Sequence, residues 1–357
     1  MQNPVISFIL PVYNGESCLF GAASSVLSEQ EIAFELLIVD DGSQDGTAAL
    51  CDALAQEDAR VRVFHTQNQG QGKARNLGLR HAQGAYIMFV DADDAVLWQG
   101  IRSMLSRAEQ GGYDVVCGLY CRKTQERVEL IMGGLPSGEV RKAGTGEQTR
   151  LYHCIKTASL FGYLWNKLYR KSFLTAHDLW LDDIRKVYME DTLFNLKLWS
   201  WQPSYYLLSQ PVYVYDASGA STTRRLEPEI AEKNAEMIEQ LFLYYKRNGC
   251  LEENLDVLEP LAMRVFCWSL VKNAPMEGLR FKELKRKIRV FLGNVAISKL
   301  LAQKGAGKGL AQLPSFLQRC FYKLCFYLLK ARRAGLLSAM FWLLYPVMKI
   351  YILRTVK

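Results

Sequence analysis

Over its first hundred residues the chain alternates short apolar runs with amphipathic segments, and this alternation restricts its fold more than any other feature. Residues 5–10, 35–39, 61–65 and 86–90 are short, rich in β-branched side chains and bounded by turn formers, the pattern of buried strands. Residues 16–28, 47–57 and 72–82 between them carry helical periodicity. Strand, helix, strand at intervals of roughly 25–30 residues predicts βαβ units and a mostly parallel α/β sheet with helices on both faces. Ligands of such sheets sit beyond the carboxyl ends of the strands. There the sequence sets its polar residues: Asn14 after the first run, Asp40 and Asp41 after the second, and Asp91 to Asp94 after the fourth.

Further strands are expected at 114–119 and 205–208 and a helix at 190–201; beyond Arg224 only helical periodicity continues, to about Gly293. The length of 357 residues allows about two domains. The nine cysteines are odd in number and never spaced as CxxC, which suits a reducing compartment and gives no structural metal motif. The four histidines have no ligand or nucleophile spacing, so none is assigned a role. The opening MQNPVISFILPVYN has no basic n-region and reads as a strand, so secretion is not expected.

Charge is unevenly divided. The chain has 44 Lys and Arg against 36 Asp and Glu, a net of +8, yet from Leu284 to Lys357 there are 15 basic residues and no acidic one, leaving −7 on the rest. On a helix Arg319, Lys323, Lys330 and Arg333 fall within roughly 80° of arc, with apolar residues elsewhere around it. Residues 334–348 are uncharged and hold Phe341, Trp342 and Tyr345, but 15 residues fall short of the roughly 20 that span a bilayer. Attachment to an anionic membrane surface is expected, ahead of crossing or of a packed helical subdomain. No nucleic-acid reader motif accompanies the basic residues, so nucleic acid is not expected as a partner.

Adjacent carboxylates at strand ends repel, and a divalent cation relieves that repulsion while holding a diphosphate, so Asp91 and Asp93 are candidate ligands of Mg²⁺ or Mn²⁺. Asp45, before Gly46-Thr47, reads as a turn and helix cap. Asp41, Ser43, Asp45 and Gly46 imitate the opening of a calcium loop, but the preceding ELLIVD is a strand where an EF-hand needs a helix. Neither a Rossmann fingerprint nor a P-loop is present. Trp165, Tyr169, Trp199 and Trp201 could stack on a sugar, though such spacings more often pack a core.

Taken in order, PVYN (11–14), VDDGSQDGT (39–47), GQGKARNLGL (70–79) and VDADD (90–94) resemble the nucleotide-sugar half of family 2 glycosyltransferases with the GT-A fold. WNKLYR (165–170), MEDTLFNLKL (189–198) and VYVYDASGAST (212–222) resemble the acceptor half of bacterial members that build surface polysaccharides. The resemblance implies a GT-A domain over 1–224, with a nucleotide-sugar half at 1–95 and an acceptor half at 96–224. A helical extension at 225–315 and membrane-associating helices at 316–357 would follow. It implies that Pro11, Tyr13, Asn14, Glu16, Asp41, Arg75, Asn76, Asp91 and Asp93 line the donor site, that Asp41 accepts from a uracil imide, and that Asp93 binds the metal beside Asp91. Asp191, paired with Glu190, matches the family's catalytic base. The activity the resemblance implies is inverting transfer from a UDP-sugar to a glycan hydroxyl; the basic, aromatic-rich tail adds the expectation that the acceptor is lipid-linked and the enzyme peripheral on the cytoplasmic face of the plasma membrane. A polyprenyl-phosphate monosaccharide transferase and a catalytically silent nucleotide-sugar or glycan-binding module are the alternatives. The sugar, linkage, acceptor and oligomeric state are not specified by the sequence.

Overall fold

The computed structural model describes residues 3–131, 138–140, 162–218, 227–272, 280–303, 305–313 and 315–355. They fall into two compact units: one within Met1–Ala143, Ser159–Ile184 and Glu190–Arg224, the other within Arg185–Met189 and Arg225–Lys357.

The first unit is built on a ten-stranded mixed sheet: β1 (Ile6–Val12), β2 (Phe34–Asp40), β3 (Val61–His65), β4 (Tyr86–Phe89), β5 (Ala95–Val96), β6 (Val115–Lys123), β7 (Val128–Ile131), β8 (Gly138–Val140), β9 (Lys167–Arg170) and β10 (Tyr205–Asp216). Its order is β3-β2-β1-β4-β9-β6-β10-β5, with β7 added on β6 and β8 on β10. The pairs β3-β2-β1-β4 are parallel, as the apolar runs require, because helices cover both faces. Every residue of β1 and β2 is buried, Ser7 and Glu35 included; these two satisfy each other by a 2.6 Å hydrogen bond across the strands.

The crossovers are α1 (Leu19–Leu27), α2 (Thr47–Glu57) and α3 (Gln71–His81), followed by α4 (Trp98–Gly111). Phe8, Phe34 and Trp98 form an aromatic knot with ring centroids 5.3–5.7 Å apart. Such side chains contribute about 1.5–3 kcal/mol each on burial. The second half differs from the sequence expectation in β9, which enters antiparallel between β4 and β6. Its four residues include the fully buried Lys167, so neither length nor alternation marks it as a strand. Strand β10 runs past the expected residues 205–208 to Asp216, its register on β6 slipping around Pro211. Among the described residues the unit also holds the helices α5 (Lys171–Ala176) and α6 (Glu190–Trp199).

The second unit is helical: α7 (Ile230–Arg247), α8 (Leu255–Val271), α9 (Phe281–Gly293), α10 (Val295–Ala302), α11 (Phe316–Lys330) and α12 (Ala334–Thr355). Helix α8 is buried nearly all round, the mark of a central helix. Its Glu259 is 1% exposed and accepts from the amides of Gly307 (2.7 Å) and Gly309 (3.0 Å), which ties the glycine-rich loop to the helix. The fold expected from the sequence, an α/β sheet of GT-A type with a C-terminal helical extension, is the one observed.

Candidate active site

The loops after the first three strands are laced into one rim. Asn14 takes a left-handed backbone (φ 51°); its amide donates to Ser43 Oγ (2.9 Å) and its Oδ1 accepts from the Gln44 amide (2.8 Å). The Gly15 amide donates to Thr47 Oγ1 (2.8 Å), and Glu16 Oε2 accepts from the Gly46 amide (3.0 Å). Asp45 accepts from the amides of Glu16 (3.2 Å) and Thr47 (3.1 Å), the turn its sequence context indicates, while Gly46 holds the N-cap position of α2 without a side-chain cap bond. Pro11 is buried at the end of β1, and two residues on the Tyr13 ring is half exposed on the rim.

Asp41, 3% exposed, accepts from the amides of Gln69 and Gly70 at 2.8 Å each, so its carboxylate pins the loop after β3 to the end of β2. Beside it is an arrangement that histidine spacing in the sequence does not reveal. His65 Nδ1 lies 2.9 Å from Asp40 and Nε2 lies 3.1 Å from Asp52, and these two carboxylates raise the imidazole pKa.

The centre of the site is Arg75 on α3. Buried to 2% exposure, it donates from Nη2 to Asp91 (2.6 Å) and from Nη1 to Glu190 (3.1 Å). One guanidinium therefore joins the acid run after β4 to the start of α6, and Glu190 lies 115 residues beyond Arg75 in the chain. Burial, then the neighbouring Asp191 charge, raises Glu190 to about 7 against the opposing pull of Arg75. Asp191 is raised too, by burial first, with its own helix amide at Thr192 and Arg75 acting against it. Both acids occupy the first turn of α6, where the helix dipole favours negative charge.

After β4, Asp91 is part-exposed, Asp93 is exposed at the mouth, and Asp94 is buried. Asp94 Oδ1 accepts from the Asp216 amide (2.8 Å); burial, and then the charge of Asp91, pushes this carboxyl up to about 8. Tyr213 on β10 reaches back to accept from the Asp91 amide (2.9 Å), a contact invisible to sequence spacing. Among the described residues no three His, Cys, Asp or Glu side chains form a ready cation cage.

Asn76 is occupied elsewhere, clamping the Leu181 backbone by two bonds of 2.8 and 2.9 Å. It holds a strap, residues 179–184, along α3. A Cβ on Gly72 would lie 2.2 Å from the Asp182 carbonyl, so the strap can lie there only over glycine. Lys197 on α6 pairs with Asp182 at 2.6 Å and fixes the other side. Trp165, Tyr169 and Trp199 are buried, and Trp165 stacks on Tyr163 and Tyr213, so these aromatics pack the core.

The family model described as Glycosyl transferase family 2 matches residues 7–177. The "Uncharacterized glycosyltransferase EpsJ" of Bacillus subtilis (strain 168) is 31% identical over 293 residues, covering 81% of this chain and 83% of its own. The chain is a family 2 glycosyltransferase. A second relative of this transferase in the same organism, the "Putative glycosyltransferase EpsH", is 28% identical over 257 residues, 71% of this chain and 72% of that one. In fold the transferase is similar to S. aureus TarS 1-349 in complex with UDP, with a TM-score of 0.70 at 20% identity over 93% of this chain and 89% of that one. It is likewise similar to the TarS complex with UDP-GlcNAc, with a TM-score of 0.65 at 19% identity over 92% of each.

Proposed function

We propose that this transferase moves a sugar from a UDP-sugar, with inversion, onto a hydroxyl of a lipid-linked glycan during assembly of a bacterial surface polysaccharide. The observation that carries this reading is the Arg75 bridge, which couples the acid run after β4 to the Glu190-Asp191 pair in one charge network. Donor and acceptor chemistry need opposite ends of such a network. TarS has been solved with UDP and with UDP-GlcNAc, which supports a uridine donor here.

Asp91 and Asp93 suit Mg²⁺ or Mn²⁺. Such a cation takes one or two carboxylates plus phosphate oxygens of the substrate, so a complete protein cage is not required. Asp94, its carboxyl raised by burial and by Asp91, reflects the repulsion that a cation would relieve. When bound, the cation supplies Lewis acidity to the leaving diphosphate. The rim from Pro11 to Glu16, with Asp41, would hold the nucleoside, and the half-exposed Tyr13 ring is available to stack on the base.

Asp191 takes the proton of the acceptor hydroxyl as its oxygen bonds to the anomeric carbon, and the bond from that carbon to the diphosphate breaks with its electron pair leaving on UDP. Glu190 is held by Arg75, whereas Asp191 is part-exposed, which favours Asp191 as the base. Burial raises its pKa, which makes it a stronger proton acceptor than an ordinary aspartate. The basic C-terminal helices would hold the enzyme on the inner face of the plasma membrane, where lipid-linked acceptors present their sugars.

The test is UDP release by purified protein across a panel of UDP-sugars with Mn²⁺ or Mg²⁺. Donor-selective release lost with EDTA and in Asp93→Ala is expected. No binding of UDP would overturn the uridine reading, and full turnover in Asp191→Asn would overturn the assignment of the base.

A further inference from the structure

The helices of residues 316–355 do not hang free of the second unit. Cys325, Phe326 and Leu329 of α11 and Leu337, Ser338, Phe341 and Tyr345 of α12 are buried. Phe341 meets Phe266 of α8 with ring centroids 5.9 Å apart and Phe321 of α11 at 5.7 Å, and Phe266 in turn meets Phe291 of α9 at 5.1 Å. The inner faces of α11 and α12 thus belong to one core, and both outer faces turn away from it.

Those outer faces are apolar. Of the sixteen large hydrophobic side chains exposed among the described residues, eight lie between Phe316 and Leu344. On α11 the exposed positions 316, 317, 320, 323, 324, 327 and 330 recur at helical spacing and occupy about 140° of arc. Phe316 (68% exposed), Leu317 (72%), Leu324 and Tyr327 fill this stripe, and Lys323 and Lys330 line one edge. On α12, Leu336, Trp342 (53%), Leu343 (67%) and Leu344 are exposed with no charge among them. Arg332 and Arg333 are exposed at the corner between the helices, where Arg332 has a left-handed backbone (φ 54°). An apolar face of this size edged with Lys and Arg is an interaction surface.

We propose that the outer faces of α11 and α12 form a rigid plate that lies in the interface of an anionic phospholipid bilayer. Phe316, Leu317, Leu324, Trp342 and Leu343 would enter the acyl boundary, with Lys323 and Lys330 at the headgroups. This rests on the membrane contact proposed above and deepens it by naming the face, the depth and the lipid charge. Charge complementarity selects this occupant, since residues 284–357 carry 15 basic side chains and no acidic one. A second copy of the chain would bring Lys323, Lys330, Arg332 and Arg333 against their own like charges. Spanning is disfavoured, because no helix among the described residues is long and apolar enough to cross a membrane. Deleting residues 316–357 would strip Phe341 from Phe266 and damage the core, so point changes on the outer face are the informative variants.

The experiment is sedimentation of the full-length protein with vesicles of phosphatidylcholine alone and with added phosphatidylglycerol, at low and high salt. Binding is expected only with phosphatidylglycerol and should weaken with salt. Lys323→Gln and Lys330→Gln should each reduce it about fivefold. Trp342→Ser and Leu343→Ser should each reduce it about tenfold. UDP release in solution should be unchanged in all four variants, since none is in the donor or acceptor site. Equal binding to both vesicle types, no binding, or a dimer that Leu343→Ser disperses would overturn the plate. Loss of UDP release by the wild-type protein would instead count against the transferase reading, whatever the vesicles show.

Discussion

Two clusters of acids face the same site and are stabilised in different ways. Glu190 and Asp191 begin a helix, and Glu190 is matched by the buried guanidinium of Arg75. Asp91, Asp93 and Asp94 end a strand; Arg75 reaches only Asp91, and Asp94 keeps a carboxyl raised to about 8. The first cluster shares a buried guanidinium of the chain, whereas in the proposed reaction a divalent cation would neutralise the second. On that proposal the base would be fixed before the donor binds and the diphosphate end completed only afterwards.

The largest test of this contrast is Asp191→Asn, which removes the proposed proton acceptor without altering the Arg75 bridge. Transfer should fall by about 10²–10⁴-fold with UDP affinity retained, checked by single-turnover kinetics and calorimetry. Arg75→Met attacks the balance itself, since Glu190 then stands buried without its partner. A loss of about 3–5 kcal/mol is expected in denaturant titrations. It should be smaller at pH 5.5 than at pH 8, because Glu190 can shed its charge by taking a proton.

Asp94→Asn sharpens the opposite side. A carboxyl raised in the folded state gives stability that is present below its ordinary value of 3.8 and lost as pH rises through about 8. The variant cannot ionise, so without divalent cation it should exceed the wild type by about 1–2 kcal/mol at neutral pH. Thermal melts should show that advantage opening above pH 4, levelling off above pH 8 and narrowing in Mn²⁺ with UDP. The smallest effect is expected at His65, whose pKa is raised by Asp40 and Asp52. Its contribution is complete below 6.5 and lost as pH rises through the higher folded value. His65→Gln should therefore be less stable than the wild type at pH 6, with the gap closing in melts under alkaline conditions.

Legibility in the sequence followed how local the signal was. The helix at 47–57 was readable to the residue and the first four strands to within two, because alternating apolar runs and turn residues report on their own neighbourhood. Strand β9 was not, since Lys167 interrupts its apolar character and its partners lie far away in the chain. At the site, the acids at 91–94 and 190–191 stood out as unusual at strand and helix ends. The bridge between them did not, because a guanidinium 115 residues from Glu190 leaves no mark in spacing. His65 was passed over for the same reason, and Asn76, read as a donor-site residue, turned out to spend its amide on Leu181. The tail's basic and apolar composition was plain. That its inner faces complete a helical core was not, because burial of one face depends on Phe266 and Phe291 in other helices.

The close approach of Gly72 to the Asp182 carbonyl bears on how such enzymes can be recombined. Any side chain at position 72 would collide with main chain. Main chain, unlike a flexible side chain, cannot turn aside. A chimera that grafts residues 1–95 onto the acceptor half of a relative must therefore bring a strap that passes as closely and meets Asn76 at the same register. Exchange of residues 1–95 is confined to relatives that share this seam, and elsewhere the graft has to extend through residue 184.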